Sequence, residues 1–136
     1  MKIREQRGMA AVEFAIVLPV LVLLIFGMIE FSTLLYDKGV ITNASREGAR
    51  AGIVHSPTGV SDAEIVNVVN NYCADNLITF GGPATPTTTI SRPSSGSGEP
   101  LTVTVDYQYE FLVLPNLVFG LTGPIDLSAR TEMRME

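Results

Sequence analysis

The stretch Phe14-Ala-Ile-Val-Leu-Pro-Val-Leu-Val-Leu-Leu-Ile-Phe-Gly-Met-Ile29 contains no charged residue and is apolar on every face of a helix. A helix of that kind belongs in a core or in a bilayer. It is slightly shorter than the roughly 20 residues needed to cross hydrocarbon. Extension back through Met9–Val12 and forward through Phe31–Tyr36 supplies the missing length and sets Glu13 and Glu30 near the two interfaces. Lys2, Arg4 and Arg7 precede the run, and cations on that flank hold a chain end in the cytoplasm. The expected arrangement is a single span over residues 9–36, its N-terminal end cytoplasmic and the body from residue 37 onward outside the membrane. A secretory signal peptide shares the basic tip and the apolar run but ends in a small-residue cleavage site. Here Glu30-Phe-Ser-Thr-Leu-Leu-Tyr36 follows instead.

Charge is distributed in blocks around this run. Residues 1–8 carry +2, residues 9–36 carry −2, residues 37–54 carry +1 and the remainder −6, which together give the net −5 of the 136-residue chain. A basic tip, an apolar rod and an acidic body do not describe a plain soluble globule. No basic patch lies outside the first eight residues, which argues against nucleic acid as a partner. Cys73 and His55 are the sole cysteine and histidine, so an internal disulfide and a Cys-rich zinc site are excluded. No GxGxxG, P-loop, HExxH or GxSxG motif occurs. The expectation is a chain that is not an enzyme, with no cofactor, no metal and no small-molecule substrate.

Beyond Tyr36 the helical pattern continues but becomes amphipathic. Tyr36, Val40, Ile41 and Ala44 share a stripe, and Ala44, Gly48 and Gly52 recur every four residues. Small residues at that spacing admit another backbone at close range. Packing on the chain's own domain is the simpler reading, and a subunit contact on another face is compatible with it. Arg46, Glu47 and Arg50 read as a solvated face with a Glu47–Arg50 pair. One helix from Met9 to about Val54 would be about 70 Å long at 1.5 Å per residue, more than a bilayer requires. Pro19 lies inside it and removes one backbone hydrogen bond.

Pro57 and Gly59 end this helix. Ser61-Asp-Ala-Glu64 is a capping box with Val60 and Ile65 at the staple positions. A second helix to about Leu77 follows, with Ile65, Val69, Tyr72 and Cys73 on its apolar stripe. That placement makes Cys73 a buried, inert thiol; His55, in its turn, is expected in solvent. A short strand is expected near Thr87–Ser91, inside a Gly/Pro/Ser/Thr-rich connector over residues 81–100. Two segments then alternate with period two, Leu101–Phe111 and Ile125–Met135, each with one dry and one wet face. An antiparallel sheet with a helix on its dry side accommodates both. Asp106 and Glu110 share a wet face about 13 Å apart, too far for a glycosidase pair. The segment 112–124 is strongly apolar. Its two readings are a short helix from Asn116 that closes the core, and a patch that meets a partner subunit or the outer leaflet.

The strings Arg7-Gly-Met-Ala-Ala-Val-Glu-Phe-Ala-Ile-Val-Leu-Pro19, Phe26-Gly-Met-Ile-Glu-Phe31 and Asn43-Ala-Ser-Arg-Glu-Gly-Ala-Arg50 resemble the TadE-like family. These are minor pilin-like proteins of the tight-adherence (Flp pilus) secretion system, relatives of type IV pilins. The resemblance is dense over residues 7–50 and loose over Leu101–Tyr109 and Ile125–Arg134. It implies a leader over residues 1–8, cut between Gly8 and Met9 by a prepilin peptidase, and a mature chain of formal charge −7. It also implies that Glu13 neutralises the new amino terminus, commonly that of a neighbouring subunit, and so fixes register. On physical grounds alone Glu13 reads equally well as a carboxylate on the cytoplasmic rim or as a charge in lipid that needs a partner. Met9 stands where many pilins have an aromatic residue.

The combined expectation is an α+β, pilin-like protein. A transmembrane and projecting N-terminal helix (residues 9–36 and 37–54) is joined to a small extracytoplasmic domain (55–136) made of a second helix and about three antiparallel strands. The implied role is a structural pseudopilin of the bacterial inner membrane, active in pilus assembly, secretion and cell adhesion. Its partners would be the peptidase, other pilin-like subunits, inner-membrane assembly proteins and membrane lipid. The alternative is an uncleaved single-pass envelope scaffold or binding module.

Overall fold

The computed structural model describes residues 2–54, 59–94, 97–112 and 123–135, with side chains from Gly8 onward. Five elements follow in order: α1 (Lys2–Ile53), α2 (Asp62–Asn76), β1 (Thr87–Ser91), β2 (Pro100–Tyr109) and β3 (Ile125–Arg134). The architecture is therefore the expected α+β one, a long apolar helix, a second helix and one three-stranded antiparallel sheet in the order β1-β2-β3. The chain divides into two units, Met1–Ser32 with Phe111–Gly123, and Thr33–Glu110 with Pro124–Glu136.

In the first unit α1 begins at Lys2, so it includes the expected leader, and it continues through Pro19. Its apolar side chains face outward: Phe14, Ile16, Val17, Val20, Leu24 and Met28 are all more than half exposed. A soluble protein would not display such a surface, and α1 is long and apolar enough to cross a membrane. Ser32 bonds its hydroxyl to the Met28 carbonyl at 2.7 Å, so this polar group is satisfied within the helix. Glu30, expected near an interface, is not left open to its surroundings. Its side chain is buried, and one carboxylate oxygen accepts the Leu112 N–H at 2.6 Å. The connector after β2 thus supplies the partner that a carboxylate in an apolar run requires. The short helix expected from Asn116 falls outside the described residues.

In the second unit β2 is the central strand. Its dry face, Leu101, Val103, Val105, Tyr107 and Tyr109, is buried, with Leu127 and Ala129 of β3 beside it. Pro100 stands at the first position of β2, where a missing N–H does least harm to the ladder. Beyond that position Gly98 donates to Met135 O at 2.7 Å and Met135 donates back to Glu99 O at 2.9 Å. Gly98 has φ +83°, a conformation for which glycine carries no Cβ penalty. β1 occupies the residues expected of it and pairs Thr88 with Val105 and Ile90 with Val103.

The capping box at α2 forms as its spacing suggests. Ser61 Oγ accepts from the Glu64 N–H, and the Glu64 carboxylate accepts the Ser61 N–H at 2.8 Å. The Ser61 N–H and the Ser61 hydroxyl both donate to the Glu64 carboxylate and hold it below its ordinary range. Ile65, Val69 and Cys73 form the buried stripe of α2, and Tyr72 is half-buried at its margin. Arg92, just after β1, bonds to the Val60 carbonyl at 3.1 Å and to Asp62, tying the strand to the start of α2.

Candidate functional site

The residues singled out in the sequence fall into two groups along α1, one open to the surroundings and one committed to the fold. Gly8, Met9 and Glu13 are in the open group. Met9 is 66% exposed, and Gly8 and Glu13 are exposed as well. A Cβ added at Gly8 would meet nothing within 4 Å, and Gly8 is not among the glycines with positive φ. Neither conformation nor packing against the described residues explains a glycine at that position. Glu13 lies four residues beyond Met9, one helical turn along α1.

Ala44, Gly48 and Gly52 form the committed group. Ala44 is fully buried. A Cβ at Gly48 would lie 2.6 Å from Val69 Cγ2, and one at Gly52 would lie 2.4 Å from Leu101 Cδ2 and 2.7 Å from Ile65 Cδ1. These small residues let α1 approach α2 and the dry face of β2 more closely than any side chain would permit. Ser45 belongs to the same face, with its hydroxyl 2.8 Å from the Thr42 carbonyl and 2.7 Å from Thr131 Oγ1. The solvated side of this stretch carries the Glu47–Arg50 pair, in which Arg50 Nε is 3.1 Å from Glu47 Oε2.

The inward stripe of α1 requires one correction. Tyr36 is 48% exposed, and Asp37 is the residue that turns inward, fully buried. The phase 37, 41, 44, 48, 52 advances by three or four residues at each step, as one helical face does. An apolar criterion selected Tyr36 in place of Asp37, although the helical phase selects the aspartate. Asp37 Oδ1 accepts the Ile78 N–H at 3.0 Å, and its Oδ2 has no hydrogen-bond partner among the described residues. Burial pushes the Asp37 carboxyl above its ordinary range, and the Ile78 N–H pulls it partly back. Cys73 is buried, and its thiol is pushed up to about 11, first by burial and then by the charge of Asp37. The Tyr107 hydroxyl is raised for the same two reasons, with Glu110 and Cys73 contributing. A thiol in that state is a poor nucleophile. Among the described residues no three His, Cys, Asp or Glu side chains come together. His55 lies outside the described residues.

A raised carboxyl binds its proton more tightly in the folded chain than in the unfolded one. The folded state therefore gains from Asp37 below the unfolded value near 3.8, and loses that gain as pH rises through the folded value. The substitution Asp37→Asn keeps the oxygen that receives Ile78 N–H and removes the charge. Its expected result is a melting temperature several degrees above that of the parent at pH 8, with the gap closing as pH falls toward 4. Circular dichroism of the full chain in detergent, run across that pH range, measures it.

Comparison with known proteins adds one finding that coincides with this geometry. Residues 8–50 match the family model described as TadE-like protein. The match begins at Gly8, covers the exposed apolar part of α1 and ends inside the committed group. No curated protein and no solved structure matches the chain.

Proposed function

We propose that the chain is a minor pilin-like subunit of a tight-adherence pilus or of the secretion apparatus that extrudes it. In this reading residues 9–36 cross the inner membrane with the N-terminal end in the cytoplasm. A prepilin peptidase removes residues 1–8, and Glu13 pairs with the amino terminus of a neighbouring subunit. The role is structural rather than catalytic, and the partners are the peptidase, other pilin-like subunits, inner-membrane assembly proteins and lipid.

The observation that carries the reading is the TadE-like match over residues 8–50, set on a helix whose first half is outwardly apolar. Gly8 adds support. No neighbour and no unusual backbone angle calls for glycine there, whereas a membrane peptidase gains an unhindered carbonyl. The pairing of Glu13 with a terminal ammonium in low dielectric gives two otherwise costly charges a common partner.

A second reading follows from α1 itself, which runs unbroken from Lys2 past Gly8. A leader continuous with the span suits an anchor that is never cut, and the chain would then be a fixed envelope scaffold. Intact mass and N-terminal sequencing of protein from its host membranes separate the two. A chain that starts at Met9 is the expected result, and one that still carries Lys2 to Gly8 favours the scaffold.

A further inference from the structure

Contacts along α1 give the second unit a direction. Ile78 N–H meets Asp37, Lys38 Nζ reaches the Ser128 carbonyl, Ser45 meets Thr131, and Gly52 faces Ile65 and Leu101. The Asp37 end is thus the end at which the apolar run of α1 stops, and Gly52 marks the far end. Five large apolar side chains stand open near Asp37. They are Leu35 (55% exposed) and Tyr36 (48%) of α1, Ile78 (43%) and Phe80 (44%) of the connector after α2, and Ile125 (40%) at the start of β3. The Ile78–Asp37 hydrogen bond fixes the connector at this level, and the Tyr109–Ile125 pair closes the sheet there. At the other end, beyond Gly52, Val54 is an exposed apolar side chain.

We infer that this rim is a second membrane contact, in which Ile78 and Phe80 enter the headgroup boundary of the leaflet from which α1 emerges. The inference rests on residues 9–36 crossing the bilayer. Lipid is the occupant because the rim is continuous with the span. Leu35 and Tyr36 belong both to the rim and to the last turn of the proposed span over residues 9–36, so the medium around them extends to their neighbours at the same level. Tyrosine is enriched at that depth, where its ring has an apolar body and a polar tip. The exposed charges nearest the rim in sequence are Asp75, Glu110 and Asp126, all acidic, and Lys38 is engaged with Ser128. The contact is therefore apolar, and anionic lipid does not drive it. Its effect is to hold the domain against the leaflet through two attachments instead of one.

The chain contains no tryptophan, so each introduced tryptophan is a single reporter. Full-length Phe80→Trp, Ile78→Trp, Leu24→Trp and Val54→Trp would be placed in phosphatidylcholine vesicles containing acyl-brominated lipid, with far-UV circular dichroism to check the fold of each. Tryptophan at 80 and 78 is expected to be quenched by bromolipid roughly threefold more than at 54, at a depth of about 5–10 Å. Either of the two positions carries the test if the other variant misfolds. If positions 80 and 78 behave like 54 while 24 is quenched, the rim contact is overturned and the span stands. If 24 is unquenched as well, the span and the rim contact fall together. A blue shift at 80 that grows with protein-to-lipid ratio, without bromolipid quenching, assigns the rim to a second copy and overturns the lipid contact. Quenching that needs phosphatidylglycerol and disappears in high salt also overturns it.

Discussion

The substitution Gly48→Val is expected to destabilise the second unit severely while leaving α1 helical in the membrane. The Cβ alone would lie 2.6 Å from Val69 Cγ2, with Ile65 Cγ2 at 3.4 Å and Val103 Cγ1 at 3.5 Å. Val69 is β-branched and fully buried, so its methyl has little freedom to rotate away. Overpacking of this kind costs about 1–3 kcal/mol, and valine adds a second layer of atoms to the clash. A domain of this size has little reserve, so loss of cooperative melting is the expected readout. Gly52→Ala should be milder, because the atoms it meets are the mobile ends of Leu101 and Ile65. Gly39→Ala supplies the contrast. Nothing lies within 4 Å of its Cβ, and alanine gains about 1 kcal/mol of helix propensity over glycine. A Gly48→Val protein that melts like the parent would show that α1 does not rest on α2 and β2 at this point.

Glu13→Ala is expected to leave membrane insertion unchanged or improved and to reduce surface pili in the host by at least about tenfold, since removal of one partner from a buried charge pair costs several kcal/mol. Insertion gains because an exposed carboxylate on an apolar helix is the costliest group there. Under the proposed pairing, assembly loses because the amino terminus of a neighbour is left without a counter-charge. Glu13→Gln separates charge from size and should resemble alanine. Fractionation and pilus counts on the same cells read both effects, and normal piliation in either mutant would remove Glu13 from assembly.

The elements were legible because each rests on a local rule. A sixteen-residue stretch without charge, a Ser-x-x-Glu box and two runs of period two each fix the conformation of the residues that compose them. Long-range partners were not legible. Glu30 and Leu112 are 82 positions apart, Lys38 and Ser128 are 90 apart, and Ser45 and Thr131 are 86 apart. No local pattern announces such a pairing. Asp37 lies between the two cases. Its position on the helical face was available from the count of residues, but a search for apolar stripes passes over a carboxylate.

The sequence by itself determined that this chain has one long apolar helix, a capped second helix and a small sheet with one dry face, because hydrophobic periodicity and capping act within a few residues. Gly8, Met9 and Glu13, on which the proposed processing and register depend, are left exposed by the fold. Only the tertiary structure decided that Gly48 and Gly52 serve the chain's own core, that Asp37 is buried against the Ile78 amide, and that Glu30 has a partner in the connector after β2. Each of these depends on which backbone arrives from far along the chain, and close packing at that point sets what a residue can do.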